Sequence, residues 1–420
     1  MGILQSGLQA EIRRIPVNVL AGLLKCKLRA ADVDLSEKEQ RRLLRQILSG
    51  RRIIRLRSSD QSEKRDITLE FTAADLAKLD VTTQRVLDHL PETLNTVLAA
   101  TVPALIKDLK RRWPKEWRRQ IREYNGFCKR LEERWGCALG LLGMVLTIAR
   151  EYGGDVAAEV RGTEAASKTP HLVEVLPRLH ARACQIAHEI ITLLTSGFAD
   201  GAMARWRTLH EVAVVALFIS ERGEATAERY ALHRYVESHL GASGYQQYCD
   251  RLGVKPLSDG VLNEIERSYT FVMSRFGENF GSQYGWAAED LSVRRPTFAH
   301  IEQAVAVEHL RPYYRLASHN VHANPKGVFF KLGLLDEADL LLAGGSNAGL
   351  ADPGSNTAVS LVQACSSLMR LQPSFDGMAA IRTLLALGEE TGLAFQSAHE
   401  KLLNEVKEID SEDGLDLPKS

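Results

Sequence analysis

Apolar side chains in this 420-residue chain recur almost throughout at three- and four-residue intervals, and that regularity restricts the fold to packed helices. One short region departs from it. Arg51–Ser58 and Asp66–Phe71 alternate apolar and polar side chains on either side of Ser59-Asp-Gln-Ser-Glu63, the pattern of a single β-hairpin. The fold class that follows is mainly α: an antiparallel helical bundle with a small N-terminal helix-plus-β-hairpin region.

Three parts are expected along the chain: an accessory region over residues 1–90, a basic helical connector over 91–152, and a bundle over 171–408. Asp34-Leu-Ser-Glu-Lys-Glu39 and Thr72-Ala-Ala-Asp75 are helix starts, with a capping residue ahead of carboxylates. Helix, hairpin, helix is also the order of a winged helix, whose arginines (41, 42, 45, 51, 52, 55 and 57) suit nucleic acid or, equally, a solvated face. Pro114 and Gly126 predict breaks in the connector, and glycine-rich Gly153–Pro170 predicts the main internal boundary. Beyond it, helices are predicted over 171–195, 200–222, 225–240, 258–276, 297–323, 352–371 and 373–408. Gly241–Gly260 reads as a turn-rich connection with one short helix and Val328–Gly349 as a short apolar helix ending in a glycine-rich loop.

Lysine plus arginine and aspartate plus glutamate each total 53, so the net charge is zero and no whole-molecule field draws the chain to nucleic acid or membrane. Any such partner needs a local patch. One candidate is the connector, where Arg111, Arg112, Lys115, Arg118, Arg119 and Arg122 are interleaved with Trp113 and Trp117. Cations beside flat aromatics suit phosphates and bases; a solvated amphipathic helix reads the same way. The six cysteines lie far apart, as small core residues of a reducing cytoplasm. The longest apolar run, Cys137–Ala149, is too short to span a bilayer, so no membrane partner is expected.

Two polar clusters stand out against the apolar background. Arg315, Ser318, His319 and His322 share a helical stripe that Pro325 terminates. Arg207, His210 and Glu211 share another, at the mouth of the apolar run Val212–Ile219. Charged groups opening a buried helix need partners, so the two clusters are expected to meet, with Glu211 reaching Arg315, His319 or His322. A metal could use His319, His322, His210 and Glu211, but the arginines would repel it; neither metal nor cofactor is expected. No phosphate-loop, dinucleotide or GxSxG pattern occurs. A purely structural role, fixing helix register, remains the competing reading.

Arg207-Thr-Leu-His-Glu211, Ser318-His-Asn-Val-His322 with Ala323-Asn-Pro-Lys-Gly327, and Gly344–Pro353 together resemble a bacterial helical domain family of unknown function over about residues 170–375. That resemblance implies the helical fold and no activity. The spacing of Arg315 and His322, with six residues between them, is also similar to that of HEPN-type ribonucleases, although Leu316 stands where a polar residue is usual. This second resemblance implies a metal-independent ribonuclease or toxin-type effector, often dimeric, with RNA as partner. Arg315 would clamp the phosphate, His322 would move the proton, and Glu211 or His210 would orient it, with His319 and Arg207 beside them. The alternative is a non-enzymatic helical binding or scaffold module.

Overall fold

The computed structural model describes residues 2–51, 54, 67–335 and 341–412. They fall into two compact units, Met1–Gln120 and Ile121–Ser420. Fifteen α-helices occur among the described residues, and no strand. None of these helices is long and apolar enough to cross a membrane.

The first unit holds α1 (Gly2–Ala30), α2 (Glu37–Leu48), α3 (Ala73–Asp88) and the beginning of α4 (Leu90–Val160). Both expected helix starts are capping boxes: Ser36 with Glu39, and Thr72 with Asp75. Leu24, Leu28, Leu35 and Leu43 form a small core. Most of the predicted hairpin, residues 52–53 and 55–66, lies outside the described residues. The part that is described is not a strand: Ile67–Phe71 runs as coil. Its alternation is real, but Leu69 and Phe71 spend it on the leucines of this core rather than on a β-partner. Lys27 holds the segment by donating from Nζ to the Glu70 carbonyl at 2.6 Å and pairing with Asp75 at 2.7 Å.

The second unit continues α4 and adds α5 (Glu164–Lys168), α6 (Pro170–Thr195), α7 (Ala199–Arg222), α8 (Glu224–Leu252), α9 (Asp259–Phe276), α10 (Ala288–Leu291), α11 (Phe298–Ala304), α12 (Arg311–Val321), α13 (Pro325–Phe329), α14 (Ala351–Ser367) and α15 (Phe375–Glu412). Helix α7 is central. It packs on α6, α14, α12, α11 and α8, and buries Trp206, Leu209, Ala213, Val214, Ala216, Phe218 and Ile219. Two polar bonds fix it to α14: Trp206 Nε1 donates to the Asn356 carbonyl at 2.9 Å, and Ser220 Oγ to the Ser367 carbonyl at 2.9 Å. Small residues let α14 sit deep, and at Gly354 a β-carbon would lie 2.3 Å from the Phe395 ring of α15. Buried Arg229 of α8 ties down the segment before α11 through the Trp286 carbonyl, Glu289 and Asp290.

Several predicted breaks are absent. Helix α4 passes unbroken through Pro114, Gly126 and Gly153, and α8 runs through Gly241 to Leu252. A glycine inside a helix costs only about 1 kcal/mol relative to alanine, which packing easily outweighs. At Gly153 the reason is visible: a β-carbon would meet the His180 ring at 2.2 Å. In the opposite sense, the single helix predicted over 297–323 is two, α11 and α12, separated where Ala306 turns to φ 56°. Of the helix predicted over 328–349, residues 336–340 lie outside the described residues, and the described residues from Phe330 to Leu350 are not helical; there Ser346 N donates to the Gly197 carbonyl at 2.9 Å and Trp135 Nε1 to Asn347 Oδ1 at 3.0 Å. Of the six free cysteines only Cys184, Cys249 and Cys365 are buried, so the expected core role holds for half of them.

His180 sits on Gly153 and against the thiols of Cys184 and Cys365, the latter at 3.4 Å. Burial pushes its pKa down from 6.5 to about 4. Between those values the unfolded chain binds a proton that the folded chain refuses, so stability present at neutral pH is lost as pH falls through that window. The loss is roughly 3 kcal/mol at full extent. Urea unfolding at pH 7 and pH 4.5 should show a drop for the wild type that is smaller in His180→Leu; equal drops in the two proteins would refute this assignment.

Candidate functional site: a sealed polar network beside an open basic concavity

Helix α12 packs along α7, but the two polar clusters do not meet; the α7 cluster contacts instead a residue the pattern did not single out for chemistry. Tyr314, buried on α12, donates its hydroxyl to Glu211 Oε1 at 2.5 Å and accepts from Arg207 Nη2 at 2.9 Å. Arg207 and Glu211 also pair with each other at 3.2 Å, one helical turn apart. The expected contact of Glu211 with Arg315, His319 or His322 is not made, because helical geometry turns those residues away from the α7 face that Tyr314 occupies. Burial and then the bond to Glu211 hold the Tyr314 hydroxyl well above the usual phenol range. Burial opposes the charge on Arg207, but the Tyr314 hydroxyl and Glu211 outweigh it and raise its pKa. Tyr284, nearby, is pushed up to about 12 by burial and by Glu211.

The second half of the network centres on Glu302 of α11, whose side chain is 0% exposed. Its Oε1 accepts from His210 Nε2 at 3.0 Å, and His210 is likewise 0% exposed. Its Oε2 accepts from Arg311 Nη1. The other ring nitrogen, His210 Nδ1, is buried and has no hydrogen-bond partner among the described residues. The imidazole is walled by Trp206, stacked at 5.2 Å, by Phe298 at 5.8 Å edge-on, and by Tyr314 at 6.1 Å. Arg207 and Arg311 both approach the Tyr314 ring, their guanidinium carbons 4.8 and 5.0 Å from its centroid. Full burial is confined to His210 and Glu302; Arg207 and Glu211, 25% and 30% exposed, answer each other at the edge of the network.

Arg311 is the hinge between this sealed network and the solvent, its side chain 31% exposed. On the outer side it lines a concavity of about 590 Å³ with Glu308, His309, Pro312, Arg315, Leu316, His319 and Lys326. Arg315 is exposed and His319 half-buried. Glu308 is the single carboxylate among the lining residues. No ion pair or side-chain hydrogen bond occupies Arg315, His309, His319 or the Lys326 ammonium among the described residues, so these groups stand ready for an anion. Close packing sets the floor's shape: Gly327 of α13 lies under α12 so tightly that a β-carbon would be 2.1 Å from the His319 carbonyl. His322 caps the C-terminal end of α12 and is exposed, outside the concavity.

Arg207, His210 and Glu211 thus face the network, His210 fully buried and the other two partly exposed, Arg315 and His319 line the open concavity, and His322 lies at its periphery. Their distribution removes the mixed histidine and carboxylate shell considered for a metal: His210 faces Glu302, Glu211 faces Tyr314, and among the described residues no three such side chains converge. Glu302, Arg311, His309 and Lys326 were missed by pattern reading. Glu302 and Arg311 are nine positions apart, and a continuous helix over 297–323 would have separated them; the turn at Ala306 brings them together.

The six basic candidates of the connector all lie on exposed positions of α4. Arg111 and Arg112 pair with Asp108 at 2.5 and 2.8 Å, and Arg119 pairs with Glu116. No partner is seen for Lys115, Arg118 or Arg122 among the described residues. Trp113 and Trp117, 52% and 51% exposed, stack on each other with centroids 6.0 Å apart.

Removing the sealed carboxylate should cost far more than removing the phenol. Glu302→Ala leaves Arg311 and His210 without their acceptor and should lower stability by about 3–5 kcal/mol. Tyr314→Phe, which keeps the ring, should lower it by about 1 kcal/mol. Denaturant unfolding of the two variants measures this, and comparable small losses would show that Glu302 is not the anchor.

Comparison with curated proteins and with solved structures gives no match. Residues 173–339, which run from α6 past α13 and contain every residue of both the sealed network and the open concavity, match a family model described as a family of unknown function, DUF5677.

Proposed function

We propose that this chain is a metal-independent ribonuclease or toxin-type effector with its reacting groups in the open concavity of α12; His322 lies outside that concavity, so the Arg315–His322 spacing of HEPN-type ribonucleases does not carry the reading. The observation that carries the reading is the set of cations around that concavity: two arginines, two histidines and a lysine against one carboxylate, with Arg315, His309, His319 and Lys326 unpaired among the described residues. Such a surface suits a phosphodiester, which offers oxygens to guanidinium forks and a proton transfer to imidazoles.

In this reading Arg315 clamps the phosphate, and Arg311, held at the rim by Glu302, supplies a second fork from the donors that Glu302 leaves free. His319 takes the proton of the RNA 2′-hydroxyl as its oxygen bonds to phosphorus. The bond from phosphorus to the 5′-oxygen breaks, and a protonated His309 returns a proton to that oxygen. His322 stands outside the concavity, where it would contact the flanking chain. Arg207, His210 and Glu211 act only by holding α7, α11 and α12 in place. The exposed cations of α4, Lys115, Arg118 and Arg122 among them, would add phosphate contacts.

The scaffold alternative draws support from one specific observation, the complete burial of His210 and Glu302, which is what a register-fixing network looks like. The two readings part on the outer residues. Under the ribonuclease reading, Arg315→Ala and His319→Ala each abolish RNA cleavage without moving the melting temperature, and cleavage persists in a chelator. RNA affinity falls steeply with salt, and Arg118→Ala with Arg122→Ala makes that dependence shallower. Absence of cleavage by the wild type, with the same two concavity variants as stable as the parent, would defeat the ribonuclease reading.

A further inference from the structure

Within the second unit, α4 and α6 border a cleft of about 760 Å³ that shares no residue with the polar network or with the concavity of α12. Small residues make the room: Gly153, Gly154 and Ala157 on α4, Pro177 and Ala181 on α6. The His180 ring fills the space beside Gly153, but a β-carbon at Gly154 would meet nothing within 4 Å. One glycine serves packing, and its neighbour leaves the cleft open.

Two polar groups of the wall lack good partners. His180 is 4% exposed, and its Nδ1 has no closer partner among the described residues than the Cys184 thiol at 3.9 Å. Pro177 carries no N–H, so the Val173 carbonyl loses the donor that a helix normally supplies. Burial keeps His180 neutral at neutral pH, so it offers hydrogen bonds without charge. Burial also raises the Cys184 thiol to about 11, against the opposing charge of Arg150, so this sulfur is not a nucleophile. The cleft is built to bind rather than to react.

Its charge is positive. Glu174 is the one carboxylate among the lining residues, and it is answered by Arg178 at 3.6 Å and by Arg234 of α8 at 3.9 Å. Arg150 and Arg161 line the cleft with no ion pair or side-chain hydrogen bond among the described residues. They are eleven positions apart, close to three full turns, so both stand on one side of α4 at the two ends of the small-residue stretch. Guanidinium forks match phosphate oxygens in pairs. The same arginines repel a metal cation. A nucleotide base finds no phenyl, phenol or indole face among the lining residues. A lipid chain would cover His180 Nδ1 and the Val173 carbonyl without satisfying either. A hydroxylated body satisfies both.

We infer that the α4–α6 cleft binds a small sugar or polyol with a phosphate at each end, one held by Arg150 and the other by Arg161, its hydroxyls meeting His180 and the Val173 carbonyl. The inference is independent of the proposed RNA chemistry, which uses other residues.

Isothermal titration of the full chain with fructose 1,6-bisphosphate tests it. The expected result is saturable binding at least about tenfold tighter than that of fructose 6-phosphate, inorganic phosphate or fructose. Arg150→Ala and Arg161→Ala should each weaken binding by about tenfold or more without shifting the melting temperature, because both side chains are exposed. Gly154→Leu should abolish binding in a folded protein, since the added side chain enters open space. Arg182→Ala, outside the cleft, and Arg315→Ala, in the concavity of α12, should leave binding unchanged. No binding at about 10 mM ligand overturns the inference. So does inorganic phosphate binding as tightly as the bisphosphate, or binding that Arg315→Ala removes and Arg150→Ala does not.

Discussion

A carboxylate with no exposure at all is expensive unless donors surround it, and Glu302 is placed between two. His210 reaches it from α7 and Arg311 from the first turn of α12. Satisfying that one group brings three helices to a common point. It also explains why the chain turns at Ala306 rather than continuing as one helix, since a straight rod would leave Glu302 unable to reach Arg311. The aromatic residues around it, Trp206, Phe298 and Tyr314, exclude water and so strengthen each polar bond they enclose.

The same network positions the outer surface. Arg311 is anchored inside by Glu302 and ends at the rim of the concavity, so a buried group sets the direction of a solvent-facing one. Tyr314 does likewise for α12: gripped by Arg207 and Glu211, it fixes which face of that helix turns outward, and Arg315 and His319 follow from its rotation. The buried His210–Glu302 pair and the partly exposed Arg207–Glu211 pair thus set the orientation of the cations that face solvent.

Much of this was legible in the chain. The three- and four-residue spacing of apolar side chains reports a helix whether or not its partners are known, and the capping boxes at Ser36 and Thr72 are local, so both could be read directly. That the charges at the mouth of the apolar helix α7 need partners was also readable. Which partners was not: the expected meeting of the two polar clusters does not occur. Arg315 looks the better partner for Glu211 by charge, yet Tyr314 occupies that place because rotation about the helix axis by one residue decides which side chain enters the interior. The alternation at Ile67–Phe71 misled for a related reason: a period of two shows that one side is apolar, not whether a strand or a helix covers it.

By itself, then, the sequence determined the helical class, the central apolar helix and the residue types of the site, since each depends on spacing within a few turns. The tertiary structure alone decided that Gly153 would serve the packing of His180 instead of ending α4, that Ala306 would divide one predicted helix into two, and that the polar cluster would split into a sealed half and an open half. Those outcomes rest on contacts between residues far apart in the chain, where small local preferences of about 1 kcal/mol yield to burial and to the satisfaction of buried charge.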